Sequence, residues 1–501
     1  MYKKCQKQRK LLSGKDLEKL FQKYDFAFEP FNYENGSLLY FYGRLFKLVV
    51  KRTEKIRHEC VSLAYHVNSQ KNNKLMKKTI LILLSLLLGS VALIAQDLSY
   101  ARKIVDTLTS QEFAGRGYVE KGHLKAANYI RGQYAALGLN SFSDDYFQPF
   151  KVKVNTFPAS MELSFDDKEL IPGEDFHVDA ASSSAKGTFE VIKVKKEKLL
   201  KDPVFQAIID YASGKILLID ERDFATASEE ASEDIRQRMN YLKYNSEISI
   251  AGTILLTHNK LTWHQSVQQG PRVSFVVKGD YDINKLKKVR INVDAKLKEL
   301  ETQNVIGYVE GTEKPDSFLV ATAHYDHLGK MGESVYFPGA NDNASGVAML
   351  LNLAKYFKNN PPAYSFVFIA LGAEELGIVG ARHFVENPVI NLDGIKFLIN
   401  FDLAGTGVEG IKVVNGKVYR DKFDRLLQYN ATNNYLKAVK IRGEACISDH
   451  CPFYRQEVPS FYIYTLGGIK AYHDIYDKAE TLPLTEFINY FHLMVDFFED
   501  F

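Results

Sequence analysis

Metal-binding side-chain types gather at the ends of apolar runs in this chain. Phe318–Ala323 leads into His324-Tyr325-Asp326-His327, and Phe366–Leu371 leads into Gly372-Ala373-Glu374-Glu375. The run from Ile395 closes on Asn400-Phe401-Asp402, and Ser460–Tyr464 is followed within a short loop by Tyr472-His473. Between the first two runs lies a polar, glycine-flanked loop, Gly339 to Gly346, with Asn341, Asp342 and Asn343 inside it. One His or Asp at a strand end is ordinarily a cap or a surface residue. Five such positions on successive elements fit that explanation poorly. Two His and three carboxylates form a nitrogen and oxygen ligand set without thiolate, which suits zinc, with manganese or cobalt possible. Five ligands are too many for one catalytic zinc, which keeps a position open. Shared by two ions, with one carboxylate bridging, they leave two open positions about 3.5–4 Å apart and room for a water between. The adjacent pair Glu374-Glu375 fits a division of labour: one binds metal and its neighbour takes a proton from the water.

The elements that must position these groups alternate between strand and helix. Ser345–Tyr356 and Leu376–Val385 have helical spacing and lie between the apolar runs. Continuous apolar strands alternating with helices predict an α/β fold: a mixed sheet with a mostly parallel core, covered by helices on both faces. Ligands of such sheets bind outside the carboxyl ends of the strands. Upstream, Leu98–Leu139 reads as two helices, the second stopped by Gly138. From about 144 to 300 the texture changes to short strand-like runs: Phe189–Val194, Lys215–Ile219, Gly252–Thr257 and Val273–Val277. One charged helical stretch, Ser228–Leu242, interrupts them. None of these runs ends in ligand-type residues, so the segment is read as an inserted β-rich domain rather than the place of chemistry.

Composition is that of a globular protein: 501 residues, 46% hydrophobic and 25% charged, with 33 Phe and 29 Tyr to fill a core. The net charge of +3 is unevenly spread. Residues 1–75 hold 16 Lys/Arg against 7 Asp/Glu, whereas 96–501 is mildly acidic, so nucleic acid is not an expected partner. Met76-Lys77-Lys78 precedes a 17-residue apolar stretch, 79–95, ending in Ala95. Two readings are open. In the preferred one, 76–95 is a signal peptide and 1–75 a doubtful basic leader upstream of the real start. In the other, 79–95 is an uncleaved membrane anchor with a basic cytoplasmic tail. Both export the body, to the periplasm or the medium in the first case and to the outer face of the inner membrane in the second. The body holds only Cys446 and Cys451, either a small-loop disulfide or two free thiols.

The motifs Ala323–Gly329, Gly339–Gly346, Ala373–Gly377, Asn400–Asp402, Ser448–Phe453 and Tyr472-His473 with Asp477 resemble, in order and spacing, a known family. It is the di-zinc exopeptidase family of secreted bacterial leucyl aminopeptidases, aminopeptidase Y, glutamate carboxypeptidase II and glutaminyl cyclases. The resemblance covers roughly 300–501 and a helical lead-in around Gly115-Arg116-Gly117. It implies that His324 and Asp402 hold one zinc, Glu375 and His473 the other, and that Asp342 bridges. Glu374 would be the general base, Tyr472 an oxyanion donor, and Asp326 and Asp477 would orient ligands. His327, His383, Asp449 and His450 are left outside the reactive set, and Asn341 departs from the Asp that many relatives carry there. The domains implied are a lead-in at 96–143, a protease-associated-like insert at 144–300 and a catalytic domain at 301–501. The function implied is an exported aminopeptidase acting on peptides. The alternatives are a carboxypeptidase or glutaminyl cyclase on the same fold, or a receptor-like ectodomain without activity. Oligomeric state is left open.

Overall fold

A computed structural model describes residues 98–222 and 228–501, all within one compact unit, Val91–Phe501. The leader 1–75 and the apolar stretch 79–95 lie outside the described residues. The strands of the main sheet are β1 (Phe147–Thr156), β2 (Lys296–Val309), β3 (Lys314–His324), β4 (Tyr364–Leu371), β5 (Ile395–Phe401), β6 (Gly410–Val414), β7 (Val439–Ile441) and β8 (Ser460–Leu466). Their hydrogen-bonded order is β1-β2-β4-β3-β5-β8-β6-β7. The four central strands, β4-β3-β5-β8, are mutually parallel. β2 joins β4 antiparallel, and so does β6 with β8.

The unbroken apolarity of the central strands follows from burial on both faces. Leu319, Ala321 and Ala323 share one core with Phe366, Phe368, Ala370, Phe397 and Ile399. Val320, Val367, Ile369, Leu371 and Leu398 point the other way, into a second core. The first face is covered by the helix at 98–108 and by α1 (Gly122–Leu137), α2 (Ser345–Asn359) and, after α3 (Val379–Glu386), α4 (Arg420–Asn433) and α5 (His450–Arg455), by α6 (Phe487–Glu499). α3 and α5 cover the second face. The helix expected from Leu376 starts later, at Val379, because Ala373 and Ile378 adopt left-handed backbone (φ 59° and 63°) and turn the chain between them.

The chain leaves this sheet after Thr156 and returns at Lys296. The intervening residues form a second eight-stranded sheet. At its centre Ala185–Lys195, Ile216–Asp220, Gly252–Thr257 and Val273–Lys278 run parallel, which includes all four runs read from the sequence. The charged stretch is the helix Glu229–Tyr244, capped by the Ser228 side chain. A further helix, Asp202–Tyr211, has no counterpart in the sequence reading. Among the described residues no helix is long and apolar enough to cross a membrane.

Candidate metal centre

Parallel strands point their carboxyl ends the same way, so the loops after β3, β4, β5 and β8 emerge together at one edge. There His324 Nε2 lies 3.4 Å from Asp342 Oδ1 and 3.5 Å from Asp402 Oδ1. His473 Nε2 lies 3.1 Å from Asp342 Oδ2 and 3.4 Å from Glu375 Oε2. The two oxygens of Asp342 thus face different imidazoles, each with its own second carboxylate. His324, Asp342, Asp402 and His473 are all buried, and Glu374 is partly open to solvent beside them.

Neighbouring groups hold this arrangement. Asp326 accepts from the backbone N–H groups of Glu374 (3.0 Å) and Glu375 (3.3 Å) and so fixes the turn after β4. Asp477 does the same for the loop opening α2, accepting from the N–H of Asn341 (2.9 Å) and of Asp342 (3.0 Å). Arg116, fully buried, donates Nε to the Tyr325 carbonyl, Nη1 to those of Leu108 and Pro338, and Nη2 to those of Gly339 and Asp342. All five guanidinium protons are thereby used on backbone. At Gly339 (φ 61°) a Cβ would sit 2.2 Å from the Asp342 carbonyl and 2.6 Å from Arg116 Nη2, so only glycine permits this crossing. Ala373, Leu403 and His473 itself are left-handed without being glycine. Backbone strain of this kind persists only where the surroundings over-determine it, and it clusters at functional sites.

The charges are unbalanced in a way that calls for cations. Burial and then the charges of Asp449, Glu375 and Asp402 hold the Glu374 pKa well above the usual carboxylate range, against the pull of His324. Burial pushes Asp326 to about 6, Asp477 to about 7 and Asp449 to about 8. Against their own burial, His324 is raised well above the imidazole range by Asp402 and Asp342, and His473 to about 9 by Glu375 and Asp342. Buried charges of one sign must be paired or coordinate a metal. Asp402 Oδ1 is buried and has no hydrogen-bond partner, although Ser448 Oγ reaches its other oxygen at 3.3 Å. An acceptor-only atom left so, facing an imidazole, fits a cation, and the donor set fits a metal of the zinc type.

Some placements differ from expectation. His327, read as lying behind or outside the site, is buried and meets Glu375 Oε1 at 2.8 Å, with its Nε2 unpartnered. Its spacing of three from His324 was a usable signal. Asp449 is buried with neither oxygen hydrogen-bonded. Tyr472 is 45% exposed and stacks on His473 with ring centroids 4.0 Å apart. Cys446 and Cys451 are joined in a disulfide. Arg116 was read only as part of the helical lead-in Gly115-Arg116-Gly117, because a lone Arg between glycines carries no pattern that marks it as a buried anchor. His264, from the inserted segment, touches His473, and no local pattern announces it.

The buried His and carboxylate cluster thus sits at the carboxyl edge of the parallel strands of an α/β domain. Within it, residues 304–498 match Peptidase family M28. The chain is 28% identical over 306 residues to aminopeptidase YwaD of Bacillus subtilis (strain 168), covering 58% of this chain and 61% of that one. It is 30% identical over 194 residues to a glutamate carboxypeptidase 2 homolog of Caenorhabditis elegans, covering 33% and 24%. It therefore spans less than two thirds of the length of these relatives. Among solved structures it resembles BSAP, a zinc aminopeptidase from Bacillus subtilis, with TM-score 0.58 at 19% identity, over 80% of this chain and 93% of that one. At that identity the likeness speaks for the fold.

Proposed function

We propose that this chain is an exported metallo-aminopeptidase holding two zinc ions. Asp342 carries the proposal: its carboxylate lies between His324 and His473, with the unpartnered Asp402 Oδ1 on one side and Glu375 on the other. In this reading His324 and Asp402 would hold one ion and His473 and Glu375 the other, with Asp342 contributing to each. Bound zinc supplies a Lewis acid for a carbonyl oxygen and lowers the pKa of a nucleophilic water. Glu374, lying beside the cluster with its pKa held above the usual carboxylate range by burial and acidic neighbours, would take the proton from the attacking water and return it to the leaving amine. The Tyr472 hydroxyl donates to the developing oxyanion. Asp326 and Asp477 keep the two loops in register through their backbone contacts.

Two observations favour an amino over a carboxyl terminus as the group recognised. Arg116 is consumed by backbone carbonyls, and Lys260, beside Tyr472, is paired with Asp474 at 2.6 Å. Neither is available to a substrate carboxylate. Export is supported by the basic, apolar and small-residue sequence at 76–95 and by the Cys446–Cys451 disulfide, which suits an oxidising compartment. The test is hydrolysis of aminoacyl-4-nitroanilides, free and N-terminally blocked, with and without chelator. Cleavage of the free panel alone, abolished by chelator and restored by zinc, is expected. No cleavage of either panel by protein carrying its metals would overturn the aminopeptidase reading.

A further inference from the structure

We infer that the inserted segment completes the metal centre, with His264 acting as a positioning residue for His473. The inference rests on the ligand assignment proposed above. His473 presents Nε2 to Asp342 and Glu375, so its Nδ1 is the nitrogen left to be fixed. That nitrogen lies 3.2 Å from Nδ1 of His264, whose ring meets the His473 ring at a 68° interplanar angle with centroids 4.9 Å apart. With Nε2 bound to a cation, His473 must carry its proton on Nδ1 and donate it. A neutral His264 with its own proton on Nε2 is the matching acceptor. Metal-ligating imidazoles are regularly held this way, most often by a carboxylate or carbonyl; here another imidazole fills the role.

The surrounding loop is anchored as such a role requires. Trp263 N–H donates to the His473 carbonyl at 2.9 Å, and its indole stacks on Phe337 at 4.9 Å while Nε1 donates to the Val178 carbonyl. Lys260 Nζ donates to the carbonyls of Lys470 (2.9 Å) and Tyr472 (3.0 Å). Gln265 Nε2 donates to the carbonyl of His327 at 2.9 Å. Residues 260–265 therefore grip both sides of the left-handed His473 (φ 52°), a backbone conformation that needs such support. The insert is thus a structural part of the site, whereas its sequence offered no ligand cluster.

The test compares His264→Phe and His264→Asn in the full chain, reading zinc stoichiometry and affinity by competition with a chromogenic chelator. Phe keeps the ring and removes the acceptor; Asn restores an acceptor near the Nδ1 position. Because the outer side of His264 is exposed, the expected loss sits at the lower end of the usual range. Affinity for one of two ions should fall about tenfold in His264→Phe and recover most of the way in His264→Asn, with the other ion unaffected. Wild-type affinity in His264→Phe overturns the inference. So does an equal loss in both variants accompanied by a lower melting temperature of the metal-free protein, which would mark a packing role. Should the wild type hold a single ion, the two-ion reading fails by itself, and His264 is then judged by whether that ion's affinity falls.

Discussion

Glu374 and Glu375 are neighbours in sequence with opposite electrostatic fates. Glu375 is drawn below the usual range by His473 and His327 despite its burial, and Glu374 is driven above it. On the proposed assignment a ligand must be ionised and a base must want its proton, and the two shifts run in those directions. Glu374→Gln should lower kcat by roughly 10²–10⁴-fold while the bound zinc stays at its wild-type level, measured by steady-state kinetics beside metal analysis. Asp342→Asn should behave differently, losing metal before it loses anything else, since it weakens both ions together. Glu374 and Glu375 were legible because they stand at the end of an apolar run, where strand geometry sends ligands, and Asp342 because it sits in a polar, glycine-flanked loop between two such runs. His327 and Asp449 were harder, because their burial depends on loops from elsewhere in the chain.

Among the elements, α2 and β5 meet where tolerance is smallest. A Cβ on Gly346 would lie 2.2 Å from Asn343 Oδ1 and 2.5 Å from the Phe401 carbonyl, at the point where β5 delivers Asp402. Gly346→Ala should cost about 1–3 kcal/mol of stability, read from denaturant unfolding, and weaken metal binding as Asp402 moves. Arg116→Met should cost more, about 3–5 kcal/mol, by leaving a ring of buried carbonyls unpaired in a region of buried acid. The core strands and the helix faces were readable from periodicity. β6, β7 and α4 escaped, because the strands are short and the polar α4 buries only Phe423 and Leu426. β1 and the start of β2 were absorbed into the texture of the insert, since β1 alternates buried and exposed and the first half of β2 is mostly exposed, patterns that either sheet can show.

Across the whole molecule, stability should depend on three imidazoles outside the proposed ligand set. Burial lowers His123, His177 and His450 to about 4. Each is neutral when folded and titrates near 6.5 when unfolded. Their contribution is therefore complete above pH 6.5 and is lost as pH falls toward 4, each adding up to about 1.4 kcal/mol per pH unit. The buried acids Asp326 and Asp477 titrate across the same window with the opposite sign, so the readout is a difference between proteins: without zinc, the melting temperature of His123→Gln relative to wild type should rise as pH falls from about 6.5 to about 4. The proposed pair of ions at the cluster these parts enclose would be seen in an anomalous difference map at the zinc edge from crystals of the zinc-loaded protein. Two peaks about 3.5–4 Å apart on either side of Asp342, one against His324 and Asp402 and one against His473 and Glu375, are the expected result. A single peak, or two peaks that leave Asp342 out of contact with either, would contradict it.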